Sequence, residues 1–128
     1  MLEKGIQAKQ LFEVEEKNTA KVMGSGTLDV LATPVMIAWM EKTAWESVQP
    51  FLEEGQATVG ICMDVHHDAP TPVGMSVTVE SELIQVDGRR LIFEVRARDE
   101  KDEIGSGRHE RFVIDSEKFQ KKANEKMH

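Results

Sequence analysis

Three residues have the types and positions expected of an acid–base site: Thr33, Glu41 and His67. Glu41 lies in a strongly apolar segment, four residues from Ile37 and four from Trp45, so a helix would align it with apolar side chains. A carboxyl group among apolar neighbours is a common general acid or base. His67 ends an alternating segment just before a turn-rich stretch, and a strand end beside a pocket suits an acid–base imidazole.

Each of these residues also has an ordinary structural interpretation. Thr33-Pro34 is a helix start signal, with threonine as N-cap and proline at the first helical position. Glu41 could pair with Lys42 or a sheet arginine, and a lone histidine such as His67 is often structural or solvated. Thr33 and Glu41 are also about 12 Å apart along a helix axis. They can share a site only if the helix start is irregular or a second subunit contributes one of them.

Other chemistry has weaker support. His66, His67, Asp68 and His109 match no ordinary zinc spacing, and adjacent strand residues point apart, so no metal site is predicted. Cys62 alternates away from His67, which argues against a Cys-His nucleophile. The sequence has no G-x-S-x-G elbow, phosphate loop or dinucleotide fingerprint.

The elements that must position these side chains follow from the hydrophobic periodicity. Residues 6–23 predict a first strand and a loose connection, and residues 33 to about 54 predict a long helix that Gly55 closes. Its buried stripe is predicted to contain Pro34, Ile37, Ala38, Glu41, Trp45, Val48 and Leu52.

After Gly55 the sequence alternates with a period of two and predicts four antiparallel strands. Asp87-Gly88 is a hairpin signal, residues 104–115 form the last strand, and residues 116–126 are helix-prone. The inward sets are predicted as Val59, Ile61, Met63, Val65 and His67; Val77, Val79, Ser81 and Leu83; and Leu91, Phe93, Val95 and Ala97. The fold class is therefore α+β, one domain over residues 1–128, with a sheet of about five strands curved around a central helix.

Composition limits the function classes. The chain has 128 residues, of which 30% are charged and 40% hydrophobic, as in an ordinary globular protein. A net charge of −7 without a long basic run argues against nucleic-acid binding, and the lack of a stretch of about 18 apolar residues argues against a membrane span. A single cysteine and an N-terminus without a signal-peptide pattern favour the cytoplasm. The exposed edge and outer face of such a sheet predict a homodimer, and a dimer of dimers stays open.

Several segments together resemble the fluoroacetyl-CoA thioesterase family of hotdog proteins. No single motif is decisive, but their order and spacing are specific, and the resemblance covers residues 6–122. It is carried by Ala32-Thr33-Pro34, Met40-Glu41-Lys42, Thr58-Val59-Gly60 and the segments 67–74, 86–91 and 102–111.

The resemblance implies a hotdog fold, a homodimer and a Thr-Glu-His catalytic set at Thr33, Glu41 and His67. It further implies that Gly60 offers a backbone N–H near the thioester carbonyl and that Arg111 lies near the acyl-CoA. No cofactor is implied beyond coenzyme A, which is part of the substrate. Because CoA is a polyanion and the chain is acidic, a local basic patch must bind it.

The segment before Thr33 departs from the family pattern. The fluoroacetyl-specific enzyme has phenylalanines in a lid there, whereas residues 23–30 contain no aromatic residue. We therefore expect hydrolysis of a short or medium acyl-CoA rather than selectivity for fluoroacetyl-CoA. An acyl-CoA hydratase or dehydratase and a non-catalytic acyl-CoA-binding module are the alternatives.

Overall fold

Five antiparallel strands form one sheet that curves around a long helix, as expected for the predicted α+β fold. The structure, a computed structural model, describes residues 2–128, so only the first residue of the predicted domain lies outside it. The strand order is β1-β3-β4-β5-β2. The elements are β1 (Gln7–Glu13), α1 (Ala20–Met23), α2 (Thr33–Val48), β2 (Gln56–His67), β3 (Ser76–Asp87), β4 (Arg90–Arg98), β5 (Glu103–Asp115) and α3 (Ser116–Asn124).

The start of α2 differs from the prediction at one residue. Ala32 is the N-cap and makes no side-chain capping bond, while Thr33 is already helical, with proline following it. The prediction of Thr33 as the N-cap is therefore wrong, because its hydroxyl bonds to His67 instead. The α-helix also ends earlier than predicted, at Val48, where a 3₁₀ turn containing Pro50 begins.

The predicted buried stripe of α2 is also wrong. Of its seven residues only Val48 is fully buried, whereas Pro34, Ala38 and Trp45 are exposed. The other three, Ile37, Glu41 and Leu52, are partly exposed. The face of α2 that enters the core is instead Val35, Met36, Met40, Thr43, Ala44 and Val48. Residues 35–40 are apolar on every side, so periodicity could not decide which face turns inward.

Contacts with the edge strand β1 hold α2 in this orientation. Phe12 stacks on Trp39 with ring centroids 4.7 Å apart and planes within 6°. Such a pair contributes about 0.5–1.5 kcal/mol beyond the area that it buries. The Thr43 hydroxyl lies 2.8 Å from the Trp39 carbonyl oxygen and 3.0 Å from the Gln10 side-chain oxygen, and these acceptors satisfy a polar group on the buried face.

The central strands follow the predicted alternation, and the edge strand β2 does not. Val77, Val79, Ser81 and Leu83 of β3 and Leu91, Phe93, Val95 and Ala97 of β4 are all buried, as predicted. In β2 the register shifts between Gly60 and Cys62. The bulge at Ile61 reverses the alternation, so Gly60 rather than Val59 lies on the helix side with His67.

No helix in residues 2–128 is long and apolar enough to span a membrane.

Candidate active site

Thr33 and His67, predicted as catalytic, contact each other directly. Thr33 Oγ1 lies 2.7 Å from His67 Nδ1, where the first turn of α2 meets the end of β2. Burial lowers the pKa of His67, and the nearby Asp68 charge partly opposes that shift. A neutral imidazole can accept the hydroxyl proton of Thr33 at Nδ1.

His67 borders a cavity, and one of its ring nitrogens is unpaired in the described chain. Nε2 is buried and has no hydrogen-bond partner among residues 2–128. The Thr33–His67 pair borders a cavity of about 270 Å³ whose walls are formed by Ala20, Ser25, Val30, Leu31, Thr33, His67, Asp68, Ala69 and Pro70. A buried polar atom is costly unless it is paired, so Nε2 is a candidate to bond a group that enters this cavity.

Hydrogen bonds to the buried carboxylate of Asp99 fix the loop after His67. Asp99 accepts a hydrogen bond from the Thr71 hydroxyl at 2.8 Å and from the backbone N–H groups of Lys101 and Asp102, each at 2.8 Å. The Thr71 carbonyl in turn accepts from the Leu31 N–H at 2.9 Å. Thr71 therefore links the loop after His67 to the segment that precedes Thr33.

Glu41 belongs to a second cluster, farther along α2. Its carboxylate lies 3.5 Å from Arg111 NH1, and the Glu41 side chain is 42% exposed while that of Arg111 is 7% exposed. A methyl group on Gly60 would lie 2.7 Å from Glu41 Oε2. The glycine is therefore needed for the carboxylate to approach the strand this closely.

His109 completes this cluster. Its Nε2 lies 3.1 Å from Arg111 NH1 and its Nδ1 lies 2.9 Å from the Cys62 carbonyl oxygen. The sequence did not predict this role for His109, which was considered only with the metal-ligand types. The signal for its role was its spacing of two from Arg111, which places both on one face of a strand.

The two clusters do not meet within one chain. No hydrogen bond or ion pair among the described residues links Glu41 to Thr33 or His67. Gly60, beside Glu41, is seven residues from His67 along β2, which corresponds to about 20 Å. Thr33 and Glu41 also lie on one continuous helix, so the separation that the sequence predicted is present in the folded chain.

Metal chemistry has no ligand set within the described chain, since residues 2–128 contain no group of three or more His, Cys, Asp or Glu side chains placed to hold an ion.

Comparison with known proteins identifies close relatives. The profile of the family described as "FlK: Fluoroacetyl-CoA-specific thioesterase" matches residues 14–117. The fluoroacetyl-CoA thioesterase of Streptantibioticus cattleyicolor is 47% identical over 98 residues, which are 77% of this chain and 70% of that protein.

Solved structures agree with these matches. A crystal structure of the fluoroacetyl-CoA thioesterase FlK is similar with a TM-score of 0.94 at 38% identity, covering 98% of each chain. A thioesterase superfamily member from Thermus thermophilus is similar with a TM-score of 0.89 at 28% identity, covering 98% of this chain and 93% of that one. The hotdog fold expected from the sequence is confirmed.

Proposed function

This chain belongs to the FlK family of fluoroacetyl-CoA-specific thioesterases and is a thioester hydrolase, and we propose that it cleaves a short or medium acyl-CoA with Thr33, Glu41 and His67. The observation that carries this assignment is the Thr33–His67 hydrogen bond beside a cavity. Water adds to the thioester carbonyl, the carbon–sulfur bond breaks, and CoA leaves with a proton. The products are the free acid and CoA.

Each residue has a role suited to its environment. Glu41 either attacks the carbonyl carbon or removes a proton from the attacking water. His67 exchanges protons with Thr33 at Nδ1, and its Nε2 helps to hold charge on the thioester oxygen. Thr33 orients the imidazole or relays the attack.

Gly60 and Arg111 are proposed to assist at the Glu41 end. The Gly60 backbone N–H faces the thioester carbonyl, where a preorganised donor stabilises developing negative charge. Arg111 lies near the acyl-CoA and holds the Glu41 carboxylate, since its NH1 is within 3.5 Å of it. Burial lowers the pKa of Arg111, which the Glu41 charge opposes, and an arginine still remains charged at neutral pH.

The complete site is proposed to form between two copies of residues 1–128, each acting as one hotdog domain. β2 is an edge strand, so its outer backbone groups are free to pair with another strand. A second copy joined antiparallel along β2 reverses direction, which brings the Glu41–Gly60 end of one copy toward the His67 end of the other. A homodimer thereby unites two clusters that one chain keeps apart.

The acyl group is proposed to be short or medium in length. The cavity beside Thr33 has small side chains on its walls, among them Ala20, Ser25 and Ala69. The described segment 23–30, which borders it, has no aromatic side chain to fill it. Fluoroacetyl-CoA is the named substrate of the Streptantibioticus relative.

A cytoplasmic location stays a prediction that rests on the single cysteine.

Release of free CoA across a series of acyl-CoA chain lengths, detected with a thiol-reactive dye, tests this proposal. We expect Glu41→Gln and His67→Asn each to lower kcat by about 10²-fold or more. Thr33→Val should lower kcat by a similar factor, whereas Thr33→Ser should retain most turnover because it keeps the hydroxyl. Unchanged turnover in Glu41→Gln and His67→Asn would remove the assignment. Hydration of an enoyl-CoA without CoA release would favour the hydratase alternative.

A further inference from the structure

His109 is a buried histidine with a partner at each ring nitrogen. It is 1% exposed and packs against Phe93, with ring centroids 6.1 Å apart. Nδ1 lies 2.9 Å from the Cys62 carbonyl oxygen, and Nε2 lies 3.1 Å from Arg111 NH1. Neither nitrogen points to solvent or to the cavity beside Thr33, so His109 acts through its neighbours.

Those two partners determine the protonation of the ring. A carbonyl oxygen only accepts, so Nδ1 must carry the hydrogen, and a guanidinium only donates, so Nε2 must be bare. Burial and the Arg111 charge both lower the pKa of His109, while the bond to Cys62 and nearby carboxylates oppose them. The ring is therefore neutral, in the tautomer protonated at Nδ1.

In this tautomer, His109 Nε2 accepts a hydrogen bond from Arg111 NH1. The other nitrogens of the guanidinium bond to Thr58, with Nε 2.7 Å from its hydroxyl and NH2 2.9 Å from its carbonyl oxygen. NH1 remains, and it lies between His109 Nε2 and Glu41 Oε2, 3.5 Å from the carboxylate. The two bonds to Thr58 and the bond to His109 fix the plane of the guanidinium. NH1 therefore faces the Glu41 carboxylate in a fixed direction.

We propose that His109 is a positioning residue, which holds Arg111 NH1 toward Glu41 and so holds the Glu41 carboxylate in its working place. The inference rests on the proposed role of Glu41 in hydrolysis. It predicts that changing the acceptor at the Nε2 position lowers turnover through Glu41. Substrate binding should change little, because the two bonds from Arg111 to Thr58 keep the guanidinium beside the acyl-CoA.

Two amide substitutions separate this role from simple packing. His109→Gln can place an amide oxygen near the Nε2 position and keep an acceptor for Arg111. His109→Asn can keep only the donor to Cys62. We expect His109→Asn to lower kcat by about tenfold with KM within about twofold, and His109→Gln to recover most of that loss. His66→Asn, an exposed histidine on β2, is the matched control and should keep the wild-type kcat.

A double variant with Glu41→Gln tests whether His109 acts on turnover through Glu41. In the Glu41→Gln background, adding His109→Asn should cause no further loss of kcat, since the group it positions is gone. The same tenfold loss in both backgrounds, or equal kcat for His109→Asn and His109→Gln, would overturn the proposal. If Glu41→Gln alone turns over as fast as the wild type, the proposed function fails instead.

Nitrogen-15 NMR of the wild-type protein gives a readout that needs no variant to fold. We expect His109 to show a protonated Nδ1 and an unprotonated Nε2 at neutral pH. A ring protonated at Nε2 would contradict the inference.

Discussion

At the scale of single residues, the chemistry depends on His67 being neutral. Nδ1 must be unprotonated to accept from the Thr33 hydroxyl 2.7 Å away, so protonation of the ring stops the reaction. Burial lowers the pKa of His67 from its ordinary 6.5. kcat/KM should therefore be constant above that pH and fall on an acidic limb whose midpoint lies below it.

Asp68 provides the check on that assignment. Its charge raises the pKa of His67, so Asp68→Asn should move the acidic limb of kcat/KM to lower pH. Asp64→Asn changes an exposed aspartate on β2, the strand that His67 ends, and serves as the control that should leave the limb in place. A limb that moves equally in both variants would show that another group controls it.

Gly60 lies against the Glu41 carboxylate, so a larger residue there should displace it. Its missing side chain leaves room for Glu41 Oε2, and a Cβ there would lie 2.7 Å from that oxygen. The same Cβ would lie 3.3 Å from His109 Cε1 and 3.4 Å from Arg111 NH1, which need to shift by only a few tenths of an ångström. The Glu41 carboxylate is the end of a flexible side chain, so Gly60→Ala should displace it with little loss of stability. We expect kcat to fall by about tenfold or more while the melting temperature changes little. Val59→Ala, whose side chain lies on the other side of the strand, is the control; equal kcat in both variants would contradict the steric account.

At the scale of elements, the sequence predicted the central strands better than the residues around the site. β3 and β4 bury alternate residues, apart from Ile92, which is buried on the other face of β4, so alternation identified their inward residues. The inward face of α2 could not be read, because residues 35–40 are apolar all round and the helix packs on β1 through Phe12 and Trp39. The bulge at Ile61 depends on pairing with β5 and has no local signal, yet it turns Gly60 toward Glu41.

The same difference applies to the candidate site. Thr33 and His67 were predicted, and the structure places them in contact, since a helix start and a strand end can be located from caps and turns. The sequence anticipated that Glu41 could pair with an arginine of the sheet, and Arg111 is that arginine. Which arginine it is, and the presence of His109 beside it, could not be deduced from α2 alone, because Arg111 and His109 lie on β5, 70 and 68 residues later in the chain.

The loop after β2 gives the prediction at the element scale. Thr71→Val removes the hydroxyl that donates to Asp99 and should lower the free energy of unfolding by about 1–3 kcal/mol. Burial raises the pKa of Asp99, but hydrogen bonds from Asp102, Lys101 and Thr71 outweigh it and the net pKa is lowered.

The sign of the pH dependence follows from that lowered pKa. The stability contributed by Asp99 is present above its ordinary 3.8 and is lost as pH falls through its folded value. The difference between wild type and Thr71→Val in chemical denaturation should therefore shrink below that pH. Thr71→Ser keeps the hydroxyl and should resemble the wild type; a Thr71→Val protein as stable as the wild type at pH 7 would contradict this role.

At the scale of the whole molecule, the two faces of the sheet differ in chemistry. The face away from α2 has a concavity of about 640 Å³ bordered by charged residues of both signs, including Lys9, Glu80, Glu82, Glu94, Arg96 and Arg108. Burying this face against another sheet would desolvate those charges. Pairing through the edge strand β2 leaves this face in solvent, so we expect a dimer joined along β2 to be the working assembly.

Subunit complementation tests most directly whether the site is shared between two copies. Glu41→Gln and His67→Asn homodimers should each be almost inactive. After subunit exchange, half of the molecules are mixed, and one of the two sites in each mixed dimer is intact. The mixture should therefore recover about a quarter of the wild-type activity. A mixture that stays inactive, although differently tagged subunits prove that exchange occurred, would contradict a site built from Glu41 of one copy and His67 of the other.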